Sequence, residues 1–430
     1  MAIVLWRFSL DRLVDGEIAA IHDRSCPVSL AELNRWYPQV PPGENGALVL
    51  GEAFADQSAR FHSSASVCDH PAARVLADES RADADRQVIE DYLDENSNAL
   101  ALLHKASGIP RSRFPIDLGT LSILPYPHLG KLIHSAHLLE VEAADHIDRG
   151  NRASAVVSVQ SLFALSHSLV REPLVRSHLA RLECQRIAID SLQDLLSRTG
   201  LTDGQLDALG AALERADDQR SLARAFIGQR CIGVRGFEMM EDTLNLTTTP
   251  VGRSHSLTQR ALVGLDLLCN SPGYLYEACG FLQWDELYYL HLMDRYIQAA
   301  QTAFPDRIDG AQELGRSLER QSGLHAFSRG WLHAMNGPRV IMEDATITAR
   351  LRAARIAIAV ERYRLARGQL PRTLADLDPF GLRAMPTDPF NGRPLRYKRF
   401  PSGYAVYSVG QDGADDAADR IRDVAFVVER

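Results

Sequence analysis

Apolar residues recur every three to four positions along most of this chain, and that recurrence stops between Gly368 and Pro371. Proline fixes φ and removes a backbone donor, so the helix carrying Ile356, Ile358, Ala359, Val360 and Tyr363 has to end there. Beyond it the spacing changes. Thr373 and Asp376 stand as a capping box over one short helix, with the carboxylate returning to the Thr373 amide. Residues 388–392, Asp-Pro-Phe-Asn-Gly, form a turn cluster, and residues 395–397 and 404–407 are short β-rich runs joined by a hairpin at 400–403. An acidic loop follows at 410–416, and residues 424–428 are the last apolar run. The predicted fold class is mainly α: an irregular multi-helix bundle or helical-hairpin array with a small C-terminal α+β module.

The helical part divides at its proline and glycine signals. Residues 1–127 are expected to be an N-terminal helical segment with an extended connector, because Pro110, Pro115, Pro125 and Pro127 disfavour helix there. It includes an amphipathic stretch over 8–20, a capping box at Ser29 and Glu32, a helix starting at Glu44 and Asn45, and one long helix over 84–106. Residues 128–344 are expected to be a helical-hairpin domain: Gly150 and Asn151 separate helices over 128–149 and 152–170, with further helices over 174–197 and from Thr202. Others are predicted over 222–240, 258–268, 273–303 and 308–321. Residues 345–430 hold the long helix and the small sheet. Met239, Met240, Phe281, Trp284, Tyr288, Tyr289 and Tyr296 recur at helical spacing and read as core rather than a ligand groove.

Composition removes several function classes. With 430 residues, 46% hydrophobic and 24% charged, the chain has the make-up of a globular protein with a sizeable core. Its net charge of −8 and interspersed arginines leave no basic stripe, so nucleic acid is not an expected partner. No run of about 18 apolar residues exists, so no membrane span is expected. Residues 1–6 are apolar, but Arg7, Asp11 and Arg12 interrupt them and the features of a signal peptide are missing. The sequence leaves the compartment open: a soluble chain in the cytoplasm, or one at the cell envelope if an N-terminal anchor is missing from this sequence. Six scattered cysteines without a Cys-x-x-Cys pair read as buried thiols.

Two groups carry candidate chemistry. His134, His137 and Glu140, with His146 beyond, lie on the predicted helix 128–149, where positions 134 and 137 share a face and could offer two imidazoles to a metal. That is the basis of one reading, a metal-dependent hydrolase, although the spacing is not His-Glu-x-x-His. His62, Cys68 and His70 match no ligand set. The acidic loop is the other group. Asp412, Asp415 and Asp416, with Gly410 and Gly413 to turn the backbone, provide the oxygen-rich, flexible chemistry that Ca²⁺ selects.

Residues 359–374, 386–397 and 407–413 together resemble the globular part of the major pseudopilin of type II secretion systems. There a helix leads through Gly-x-x-Pro to an Asp-Pro-aromatic-Asn-Gly turn, a short sheet and a Tyr-Ser-Leu-Gly-x-Asp-Gly loop. The resemblance covers about the last fifth of the chain and implies a Ca²⁺ loop in which Asp412 and Asp423 match the family's loop and closing aspartates. The longer chain, including residues 36–45, resembles a group of bacterial helical proteins of no established activity that end in this module. The function expected from these features is a non-enzymatic scaffold or adaptor that displays the module to a protein partner at the bacterial envelope.

Overall fold

The computed structural model describes residues 2–57, 83–120, 126–248, 279–320, 336–378, 384–419 and 422–430. In chain order the described helices are α1 (Ala2–Asp23), α2 (Leu30–Trp36), α3 (Gly46–Asp56), α4 (Asp83–Glu95), α5 (Ser97–Ser107) and α6 (Pro127–Asp148). They continue as α7 (Arg152–His167), α8 (Val175–Arg198), α9 (Asp203–Ala216), α10 (Ser221–Thr248), α11 (Phe281–Gln301), α12 (Asp306–Arg320) and α13 (Gly337–Arg367). Three strands close the chain: β1 (Arg396–Phe400), β2 (Gly403–Ser408) and β3 (Val424–Glu429). The fold is thus mainly α with a small C-terminal sheet, as the change of spacing after Gly368 predicts.

Local chemistry sets the boundaries. Ser29 with Glu32 and Thr202 with Gln205 form reciprocal capping boxes that open α2 and α9. Between α6 and α7 the chain reverses at Gly150, whose φ of +70° suits a residue without Cβ, and Asn151 then caps α7. The expected single helix over 84–106 is instead two. At Asn96 the side chain is buried and donates to the Tyr92 carbonyl at 2.9 Å, while ψ of 14° breaks the helical path. An asparagine that satisfies itself on the preceding turn ends one helix and starts another. The Thr373–Asp376 box forms too, over a single 3-10 turn.

Two helical layers share α13. The larger core joins α3 and α5 to α9 with the middle of α13, from Ile347 to Val360. A second core joins α10, α11 and α12 with Val340 and Ile341 at the start of α13. Close approach there depends on glycine: a Cβ at Gly228 would lie 1.7 Å from the Pro173 carbonyl oxygen, and one at Gly233 would lie 2.1 Å from Tyr289. Tyr289 and Tyr296 are core, as their spacing predicts, whereas Phe281 is 40% exposed. The boundary expected at 344/345 falls inside α13. At that position Asp344 is buried, with its carboxylate 3.0 Å from Arg307 of α12 and 3.2 Å from His178 of α8.

The sheet runs in the order β1-β2-β3, antiparallel throughout, with Tyr404 opposite Val428 and Val406 opposite Phe426. Those four side chains face inward and belong to the same core as α8 and α13. β3 is also held from outside the sheet, since Val427 N–H donates to Gln193 of α8 at 2.9 Å. Among the described residues no helix is long and apolar enough to cross a membrane. Cys184 and Cys231 are buried free thiols. His62, Cys68, His70 and the helix expected over 258–268 lie outside the described residues.

Candidate functional site

The acidic loop links β2 to β3, and a buried aspartate in the preceding turn cluster fixes its start. Asp388 is fully buried; its carboxylate accepts from the Phe390 amide at 2.9 Å, the Ser408 hydroxyl at 2.7 Å and the Val409 amide at 3.1 Å. One side chain therefore ties residues 388–392 to the end of β2. Gly410 and Gly413 then turn the loop with φ of +66° and +70°. At Gly410 any side chain would also strike the Arg422 carbonyl oxygen, 2.8 Å from a Cβ, so the two limbs of the loop touch there.

The four expected calcium ligands fall into two pairs. Asp412 sits exposed at the tip and accepts from the Ala414 amide at 3.0 Å. Asp415 is engaged on both oxygens, by Tyr407 Oη at 3.1 Å, the Ala417 amide at 3.1 Å and Arg396 Nε at 2.8 Å. Desolvation pushes its carboxyl up, but the Ala417 amide, the Tyr407 hydroxyl and Arg396 outweigh this and hold it below the usual carboxylate range. The other pair has oxygens to spare. Asp416 meets Arg422 through Oδ1 at 3.3 Å, while its Oδ2 is buried without a donor among the described residues. Asp423 is 4% exposed and accepts from the Ala418 amide at 2.7 Å through Oδ2; the Asp416 and Asp419 amides also face the carboxylate, but among the described residues no donor meets its buried Oδ1 in hydrogen-bond geometry. Burial, aided by the field of Asp415, raises the Asp423 carboxyl above its ordinary value despite the amides that face it.

A buried carboxylate oxygen without a donor is costly, and residues 416 and 423 each carry one such hard, anionic oxygen among the described residues. That all-oxygen donor type suits a hard cation such as Ca²⁺ better than a soft metal. Among the described residues no three His, Cys, Asp or Glu side chains converge as a complete metal-holding group. Asp416 and Asp423 could therefore supply only part of a calcium shell, leaving carbonyl oxygens and water for the rest.

The histidine helix has a different geometry. His137 Nδ1 lies 2.8 Å from Glu140 on its own helix, and His134 is buried in the helical core. His146 is half-buried, and its field acts on Glu142. What the structure brings together instead is His104 of α5, Glu142 of α6 and Ser161 of α7. His104 Nδ1 is 2.9 Å from Ser161 Oγ, its Nε2 is 2.9 Å from Glu142 Oε2, and Ser158 Oγ donates to that carboxylate at 2.6 Å. The order serine, imidazole, carboxylate is that of a nucleophilic relay. Ser161 is only 2% exposed, however, and the cavity beside it has room for about one water at roughly 20 Å³. The relay acts here as a polar cross-link between three helices. No spacing signal could have revealed it, because its members stand 38 and 57 residues apart along the chain.

Comparison with protein-family models, curated proteins and solved structures finds no match for the chain.

Proposed function

We propose that the chain is a non-enzymatic scaffold whose helical body carries a pseudopilin-like, calcium-stabilised C-terminal module for contact with a protein partner. The observation that carries this reading is the pair of buried, undonated oxygens on Asp416 and Asp423 in the loop between β2 and β3. Calcium would supply positive charge to the oxygens that Arg396 and Arg422 do not reach and would join residues 416 and 423. Asp423 would gain most, since its buried carboxylate is the one whose charged form the fold disfavours. Asp415 would hold the loop in place through Arg396 and Tyr407 without giving up an oxygen.

The partner reading draws support from α1. Leu5, Trp6, Phe8 and Leu13 are each about half exposed or more, at 62%, 49%, 61% and 55%. Large apolar side chains gathered on one helix face suit protein contact. A bacterial-envelope location follows from the resemblance of residues 359–413 alone.

Equilibrium dialysis of the full chain against micromolar to millimolar Ca²⁺, with metal analysis of the protein compartment, tests the reading. One Ca²⁺ per chain, lost in Asp423→Asn and kept in Asp415→Asn, is the expected result. No bound calcium at millimolar concentration, or retention by Asp423→Asn, would remove the module's proposed role.

A further inference from the structure

Outside the acidic loop, the turn before α10 meets the α11–α12 connection, α13, the end of α2 and Thr387, the neighbour of the loop anchor Asp388. Between them lies a cleft of about 620 Å³. Four arginines line it, Arg220, Arg224, Arg307 and Arg352, and among the described residues no carboxylate does. In a chain of net charge −8, that concentration of guanidinium groups needs a reason.

The four are not equivalent. Arg307 is spent: it is 2% exposed, pairs with Asp344 at 3.0 Å and lies over the Phe304 ring at 4.4 Å. Arg352 donates to the Thr387 carbonyl at 2.8 Å and shares Asp217 with Arg355, each 3.8 Å from the same oxygen. Arg224 donates one N–H to the Val170 carbonyl at 2.7 Å and has no ion pair among the described residues. Arg220 is exposed and also has none. Asp218 acts on Arg224 through its field, but its Oδ1 is occupied by the Arg220 and Ser221 amides, both at 2.9 Å. Burial and then the neighbouring Arg171 and Arg220 push the Arg224 guanidinium below its ordinary value, and Asp218 only partly offsets them.

Two guanidinium groups without an ion pair among the described residues, one of them in the field of Asp218, and a third shared one suit an anionic ligand of charge up to about −2, and their planar forks suit phosphate oxygens. A phosphate monoester has that charge near neutral pH, whereas a simple carboxylate has half of it. The cleft is also larger than an inorganic ion requires and falls in the size range of small-molecule sites. The rest of its wall is mixed: half-buried Trp36, Ala223, Ile227 and Phe304 give it an apolar and aromatic part, and Gln219, Gln301, Thr302 and Thr387 a polar one.

We infer that this cleft binds a small phosphate monoester, with the phosphoryl group held by Arg220, Arg224 and Arg352 and an apolar or aromatic part against Trp36 and Ile227. The site is independent of calcium, since none of its residues lies in the 410–423 loop.

Phenyl phosphate is the simplest probe of that chemistry, read by quenching of tryptophan fluorescence in the full chain, with a Trp36→Phe variant assigning the signal. Saturable quenching is expected, tighter than competition by inorganic phosphate and much tighter than by benzoate. Arg220→Gln and Arg224→Gln should each weaken binding about tenfold to a hundredfold, the range for a charge-assisted contact. Arg339→Gln, on an exposed helix face, should leave binding unchanged. Among the described residues Arg220 has no ion pair, so Arg220→Gln keeps the test valid if Arg224→Gln unfolds the chain. Vesicles containing phosphatidic acid give the second arm: binding displaced by phenyl phosphate assigns a lipid headgroup as the source of the monoester. Absence of saturable binding, equal binding by Arg220→Gln, or vesicle binding that phenyl phosphate does not displace would each overturn the proposal.

Discussion

Tyr404 of β2 places its hydroxyl 3.0 Å from Glu361 of α13, inside the core and at full burial. Arg430, the last residue, reaches the same carboxylate at 2.8 Å and the Leu196 and Thr199 carbonyls of the α8 end at 2.8 and 2.9 Å. One buried glutamate thus adds a polar tie to the shared core and the Val427–Gln193 bond that join the C-terminal sheet to the helical body. Tyr404→Phe removes the hydroxyl and leaves Glu361 to Arg364 and Arg430. Urea unfolding of the full chain should show a loss of about 1.5–3 kcal/mol, the range for a hydrogen bond to a charged group. A change within a few tenths would mean that the two arginines alone satisfy the carboxylate.

The glycines of α10 are required by contact. Gly228→Ala would force a Cβ onto the Pro173 backbone, which cannot swing aside as a flexible side chain could. The expected loss is about 1–3 kcal/mol or more, from overpacking at the α8–α10 approach. Gly204→Ala, with open space around its Cβ position, is the matched control and should not destabilise. Equal midpoints for the two variants in urea would show that the α10 contact can relax.

Stability should also depend on pH through Glu286 of α11. Burial, and then the carboxylates of Glu241, Glu238, Asp15 and Asp11, push its carboxyl up to about 7. A raised acid favours the protonated folded state, so its contribution is complete below the ordinary carboxylate range and is lost as pH rises through about 7. Unfolding free energy should fall by about 2–3 kcal/mol between roughly pH 5 and pH 8 from this group. Glu286→Gln should flatten that part of the profile. An identical slope in the variant would assign the pH dependence to other groups.

Much of the fold was legible in the sequence because local signals and global packing agree. The capping boxes at Ser29, Thr202 and Thr373, the reversal at Gly150 and the stop at Gly368 are all devices of neighbouring residues. Asn96 misled because its break depends on burial of a side chain that would be unremarkable if exposed. The acidic loop was visible as composition, yet its division into engaged and uncommitted carboxylates was not. Arg396, which occupies Asp415, comes from a strand 19 positions earlier, and Asp388, which anchors the loop, reads locally as part of a turn. The arginine cleft could not be read at all. Residues 220, 224, 307 and 352 meet only through the packing of α10, α12 and α13, with no motif at any one place.

The proposed calcium binding of the acidic loop is best tested on the whole chain, since the adjoining sheet shares a core with α8 and α13. Melting should be recorded in millimolar Ca²⁺ and in chelator, for the native sequence and for Asp423→Asn. Because calcium would bind only the folded loop, stabilisation should grow with the logarithm of free calcium, to about 2.7 kcal/mol at a hundredfold excess over Kd. Magnesium should substitute poorly, since it demands a smaller and stricter octahedron. The account predicts a higher melting temperature in calcium that Asp423→Asn abolishes. An unchanged melting temperature, with metal analysis confirming that chelation had removed all calcium, would contradict it.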